Sequence, residues 1–195
     1  MLVGLTGIVS SGKSTVASMM AKKGAVVYSA DQIVESLYLN KKSEVYKRVK
    51  KTFPGAFVDG FLLKEKLAHI VFNDENALLQ LERIVHPCVI KQIKKISLNK
   101  KAVIVFEVPL LFEKKLEDLF DTIVFVYIDR EKAIARSVKR FKCSKHELKQ
   151  RIRRFLPVYE RMKKSDYIIK NIRCRRYLSD QVNKVWQKIN SKNEK

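Results

Sequence analysis

GIVSSGKST, residues 7–15, fits the spacing GxxxxGK[ST] with Gly7, Gly12, Lys13 and Ser14. A loop of this kind turns successive backbone N–H groups inward, where they can cradle phosphate oxygens, while the lysine reaches the outer phosphates and the hydroxyl can ligate Mg²⁺. Gly/Ser turns followed by a lysine also arise by chance, so the flanking residues decide. Before the loop, Met1 to Thr6 is a short apolar run suited to a buried strand, broken at Gly7. After it, Thr15 to Lys23 reads as a helix, with Val16, Met19 and Met20 on one face, Lys22 and Lys23 in the last turn and Gly24 as the stop. Strand, loop and helix follow in the order a phosphate site requires, and the positive end of the helix points at the anion.

Four more apolar segments read as strands: Ala25 to Tyr28, Ala102 to Glu107, Thr122 to Ile128 and Tyr167 to Ile169. The middle two are β-branched with almost no polar alternation, as parallel strands covered on both faces are. Helical patterns separate them, so the chain reads as α/β with a doubly wound parallel sheet. Right-handed crossovers then bring Gly7, Ser29 to Asp31 and Glu107 to Pro109 to one sheet edge, where ligands bind. The interval from Gln32 to Lys101 is too long for one crossover and reads as a helical insertion, with helices such as Ala77 to Ile84 and Cys88 to Ile96 interrupted at Pro54, Gly55, Gly60 and Pro87. A second helix-rich piece, Lys132 to Lys164, is crowded with basic residues.

The chemistry-bearing side chains are few. Asp31 follows the second strand, so its carboxylate is expected to face the loop and take the proton of an acceptor hydroxyl; the plainer reading is an N-cap for a helix starting at Gln32. Glu107 closes the strand AVIVFE, a place for an acid that helps hold Mg²⁺, although an acid at a strand end is unremarkable. Lys13 and Ser14 are expected at the outer phosphates and the metal. Arg136 and Arg140, one helical turn apart, point the same way and could neutralise a transferring phosphoryl group. His86 before Pro87 is either a substrate contact or a residue held extended by the proline. Trp186, with Val182, Val185 and Ile189, marks a helix face docking on the sheet.

The 195 residues, 46% hydrophobic, suffice for one good core with an inserted subdomain. No apolar run reaches the length of a membrane span and no signal-type segment opens the chain, so no membrane partner and a cytoplasmic location are expected. Cys88, Cys143 and Cys174 form no metal or disulfide pattern and read as free thiols, buried or inert. Forty-one Lys and Arg against 20 Asp and Glu leave a formal charge of +21. Such an excess attracts polyanions generally, but base-reading motifs are missing, and no specific nucleic-acid partner is expected. A monomer or weak homo-oligomer is expected.

Several separated motifs together resemble the dephospho-CoA kinase family across nearly the whole chain. They are LTGIVSSGKST from Leu5, SADQIVE from Ser29, VHP from Val85, VPLLFE from Val108, RSVKR from Arg136, RI from Arg151 and KKSDYIIKN from Lys163. The resemblance implies a P-loop kinase-like fold of five parallel strands, with a nucleotide-binding core of residues 1–31, 102–135 and 165–195. It likewise implies a helical CoA-substrate insertion of residues 32–101 and a lid of residues 136–164. The implied reaction moves the γ-phosphoryl group of ATP, with Mg²⁺, to the ribose 3′-hydroxyl of dephospho-CoA.

On that resemblance Asp31 is the base, with Lys13 and Arg140 at the transferring group. ATP contacts fall on Gly7, Ser10, Ser11, Gly12, Lys13, Ser14, Thr15, Arg136 and Asn171, the metal on Ser14 and Glu107, and dephospho-CoA on Asp31, His86, Pro87, Pro109 and Leu110. A closing lid would exclude water and suppress ATP hydrolysis. Ile8 and Ser10 stand where the family usually has glycines, and Ser29 replaces the first acid of its DAD pattern. Phe155 stands for a common glutamine and Arg173 for a glycine, both on the adenine side.

The alternatives are another small-molecule or nucleoside monophosphate kinase of the same fold, against which VPLLFE and the long insertion argue, and a nucleotide-dependent nucleic-acid-binding module. A regulatory GTPase would need an Asp two residues after one of the Asn-Lys pairs at Asn40, Asn99 and Asn183, and none has it.

Overall fold

In a computed structural model, which describes residues 1–98, 102–141 and 155–193 (Phe141 by its backbone alone), five parallel strands form one sheet. They are β1 (Leu2–Gly7), β2 (Val26–Ser29), β5 (Ile104–Glu107), β6 (Thr122–Tyr127) and β7 (Tyr167–Lys170), in the spatial order β2-β5-β1-β6-β7. The chain leaves β1 toward β2 but leaves β5 in the other direction, across β1 to β6. That reversal beside β1 is where a doubly wound sheet opens its ligand crevice. Register puts the crevice residues level with one another: Glu107 of β5 pairs with Leu5 on one side and with Ser29 on the other.

The sheet is central because its strands are apolar on both faces; every residue of β1, and all of β6 except Tyr127, is buried. One face is covered by α1 (Lys13–Ala21) and α8 (Arg175–Asn193). Val16, Ala17 and Met20 of the first and Leu178, Val182, Val185 and Ile189 of the second pack on Val3, Leu5, Val124 and Val126, with Trp186 at the margin. Among the described residues this unit also holds the α-helices α6 (Arg130–Phe141) and α7 (Val158–Lys163).

The chain divides into two compact units, Met1–Ser29 with Asn99–Lys195, and Ala30–Leu98. The second unit holds α2 (Ala30–Leu39), α3 (Glu44–Thr52), α4 (Lys64–Asn73), α5 (Glu75–Ser97) and a hairpin of β3 (Phe57–Val58) and β4 (Phe61–Leu62). Pro54, Gly55 and Gly60 fall between α3 and α4, as the sequence reading expects, and the break at Gly60 is the hairpin. Asp59 and Gly60 both take positive φ, 50° and 76°, and make its tight turn, whose Gly60 carbonyl accepts from the Tyr46 hydroxyl. At Pro87 the structure corrects the reading: the proline does not separate two helices, and His86 is helical rather than extended. α5 runs 23 residues through the proline. The lost N–H and the ring clash cost about 3 kcal/mol, and buried Ile84, Val85, Val89 and Ile93, on both sides of Pro87, anchor the helix across it.

Candidate active site

The loop after β1 is built from close approach. A Cβ on Gly7 would lie 2.3 Å from the carbonyl oxygen of Val126, so only glycine lets β1 end this tightly against β6. Gly12 caps α1 in the left-handed region, φ 92°, and a Cβ there would meet Asn171 Nδ2 at 2.6 Å. That amide is committed: Asn171 Nδ2 donates to the Ser11 carbonyl at 2.8 Å, so a residue expected among the ATP contacts is a strut of the loop itself. Ile8 N donates to Val126 O, and Ser11 N closes the turn onto Ile8 O. α1 begins at Lys13, two residues earlier than the periodicity suggests, which places Lys13 and Ser14 in its first turn, where the dipole favours anions. Lys22 and Lys23 lie past its last turn.

Residues Ser10 to Thr15 with Arg136 and Arg140 line a cavity of about 210 Å³. Seven of the nine ATP contacts expected from sequence thus meet in one place, together with Arg140; Gly7 and Asn171 shape the loop without lining the cavity. Lys13 arches over the loop, its ammonium donating to Ile8 O at 3.0 Å and Gly7 O at 3.4 Å. Ser11 Oγ is buried in the wall with no hydrogen-bond partner among the described residues. At the mouth Ser14 Oγ donates to Glu107 Oε2 at 3.0 Å, joining the two expected metal ligands. Hydroxyl and carboxylate oxygens are the hard donors Mg²⁺ takes, usually one or two beside phosphate and water.

The segment VPLLFE, residues 108–113, follows β5 directly. Leu111 and Phe112 are buried, Pro109 and Leu110 half-buried, and the Pro109 carbonyl accepts from Thr6 Oγ1 at 3.3 Å. Its last residue reveals what the sequence reading missed. Arg161 of α7, one basic residue among many in the chain, is 1% exposed. Its Nη2 donates to the carbonyls of Gly7 at 3.0 Å and Pro109 at 3.3 Å, and its Nε lies 3.3 Å from Glu113 Oε1. The guanidinium is flanked by the rings of Phe155 and Phe125 at 4.9 and 5.1 Å. Glu113 also accepts from Leu156 N. Burial pushes the Arg161 guanidinium below its ordinary value and the Glu113 carboxylate pushes it back up. One buried ion pair therefore joins the loop entry, the exit of β5 and the chain entering α7. Phe155, a departure from the family pattern, serves as a wall of that pair.

Asp31 is exposed and is the second residue of α2, two residues past the end of β2; the helix starts at Ala30, so Asp31 is not its N-cap. His86 and Pro87 lie mid-helix in α5. Cys88 and Cys174 are free thiols, as read from sequence, the first half-buried and the second exposed. Cys143, Arg151 and residues 142–154 of the expected lid lie outside the described residues. Among the described residues no helix is long and apolar enough to cross a membrane.

A family model described as dephospho-CoA kinase matches residues 1–174. A dephospho-CoA kinase of Aquifex aeolicus is 37% identical over 191 residues, 96% of both chains. Among solved structures, TT1252 from Thermus thermophilus superposes with a TM-score of 0.84 at 30% identity, covering 96% of each chain. The dephospho-CoA kinase of Campylobacter jejuni gives 0.66 at 25%, again over 96% of each.

Proposed function

The chain belongs to the dephospho-CoA kinase family, ATP-dependent kinases of a dephospho-CoA hydroxyl, and on that premise we propose how its own residues divide the work. The observation that carries the reading is the cavity in which the loop amides, Lys13 and two exposed arginines face one another. A triphosphate laid in it is held by backbone N–H groups and the N-terminal end of α1. Lys13 exchanges the carbonyls of Ile8 and Gly7 for phosphate oxygens, a stronger, charge-assisted bond. Arg136 and Arg140 neutralise the charge that spreads over the transferring group. Buried, unpartnered Ser11 Oγ is a further donor at the wall.

Ser14 and Glu107 would hold Mg²⁺, which supplies neutralisation of phosphate charge when bound. Asp31 takes the proton of the ribose 3′-hydroxyl of dephospho-CoA and holds its oxygen toward the γ-phosphorus. His86, Pro87, Pro109 and Leu110 contact dephospho-CoA, residues 32–101 form its binding insertion and residues 136–164 the lid. Asn171 acts on the nucleotide through the Ser11 carbonyl it holds. A cytoplasmic monomer or weak homo-oligomer is proposed on the sequence pattern alone.

The test is ADP release with dephospho-CoA, nucleoside monophosphates and nucleic acid offered separately. Dephospho-CoA alone is expected to stimulate turnover, with phosphorus–proton NMR placing the new phosphate on the ribose 3′-oxygen. Stimulation by nucleic acid alone would end the kinase reading.

A further inference from the structure

Ser10 takes φ 58°, a left-handed conformation that side chains other than Gly, Asn and Asp seldom adopt. A glycine would hold this turn without strain, and strain at a site is a reason to ask what the side chain does there. Its Oγ accepts a hydrogen bond from Ser137 Oγ at 2.9 Å. Ser137 is 1% exposed and lies on α6 one residue after Arg136 and three before Arg140, both exposed at the cavity. A helical serine usually returns its proton to a carbonyl of its own helix. Here it is spent on the phosphate loop, 127 residues away in sequence.

A hydroxyl can accept and donate at once, so the bond from Ser137 leaves Ser10 its own proton, and Ser10 lines the cavity. We propose that Ser137 and Ser10 form a relay, Ser137 O–H to Ser10 Oγ and Ser10 O–H to a phosphate oxygen, that couples nucleotide binding to the seating of the arginine-bearing helix α6. Each bond of such a chain polarises the next, so an anion accepting from Ser10 tightens the hold of Ser10 on Ser137. Ser137 is a positioning residue for Arg136 and Arg140, and the side chain of Ser10, where the family pattern has glycine, is what makes the coupling possible in this chain.

The inference rests on the kinase reading for what the arginines do, but its test does not need turnover. ATP binding is measured by calorimetry on the full chain, and on the Ser137→Ala, Ser10→Gly and double variants. Each single variant is expected to weaken ATP about five-fold, the size of one ordinary hydrogen bond, and the double variant to weaken it no further. Factors that multiply in the double variant, or an unchanged dissociation constant in all three, would overturn the relay. A merely structural bond would instead lower the melting temperature of the nucleotide-free protein and leave ATP affinity alone, which also overturns it. ADP release by the unmodified chain with dephospho-CoA is a separate arm and bears on the kinase reading only.

Discussion

Arg161 and Arg140 both bear on the loop between β1 and α1, and they differ in their physical state. Arg161 is 1% exposed, faces Glu113 and gives its Nη2 protons to the carbonyls of Gly7 and Pro109. Arg140, with Arg136 a turn before it, is exposed on α6 and lines the cavity. A guanidinium buried with its donors committed to backbone sets geometry and has little left for a ligand. An exposed one at the cavity stays within reach of an anion, so its interaction can strengthen as charge develops. The same residue type thus frames the loop in one place and is suited to chemistry in the other.

Arg161→Ala is the hardest test of that contrast. It strands the Glu113 carboxylate in the interior and is expected to destabilise the protein by about 3–5 kcal/mol in urea unfolding. Arg161→Met combined with Glu113→Leu should recover much of the loss, because no charge is then left unpaired. A loss under about 1 kcal/mol for the single variant would make Arg161 an ordinary surface cation. Arg140→Ala should behave oppositely. Turnover is expected to fall about 100-fold while unfolding changes by less than about 0.5 kcal/mol. Equal losses of rate and stability in both variants would erase the distinction.

Smaller effects sharpen the picture at the loop. Glu107→Gln removes the carboxylate that accepts from Ser14 and should raise the Mg²⁺ concentration for half-maximal rate about ten-fold. An unchanged Mg²⁺ profile would assign Glu107 to the protein alone. Asn171→Ala frees the Ser11 carbonyl and should weaken ATP about five-fold in equilibrium binding, the worth of one hydrogen bond. A change confined to adenine preference would mean that Asn171 reads the base instead.

The sheet and the loop were legible for simple reasons. β1, β5 and β6 are unbroken apolar runs, and the glycines at positions 7 and 12 stand at fixed offsets from Lys13. The insertion was less so. Asp59-Gly60 is a hairpin signal that a helical expectation passes over, and Pro87 is tolerated because contacts distant in sequence outweigh a local penalty. Arg161 carried no signal at all, since a lone buried cation looks the same in sequence as its exposed basic neighbours. Its partner Glu113 lies 48 positions earlier, and only the three-dimensional path of the chain joins them. Ser137 was hidden likewise, between two arginines that draw the eye.

The central claim is that the loop grips a triphosphate while Asp31 prepares the acceptor hydroxyl. A crystal structure with Mg²⁺, a non-hydrolysable ATP analogue and dephospho-CoA tests it most directly. The expected result has the phosphates lying between the loop amides and Arg140, and the Asp31 carboxylate hydrogen-bonded to the ribose 3′-hydroxyl, in line with the terminal phosphorus. Phosphates bound away from the loop, or an Asp31 carboxylate out of reach of that hydroxyl, would contradict it.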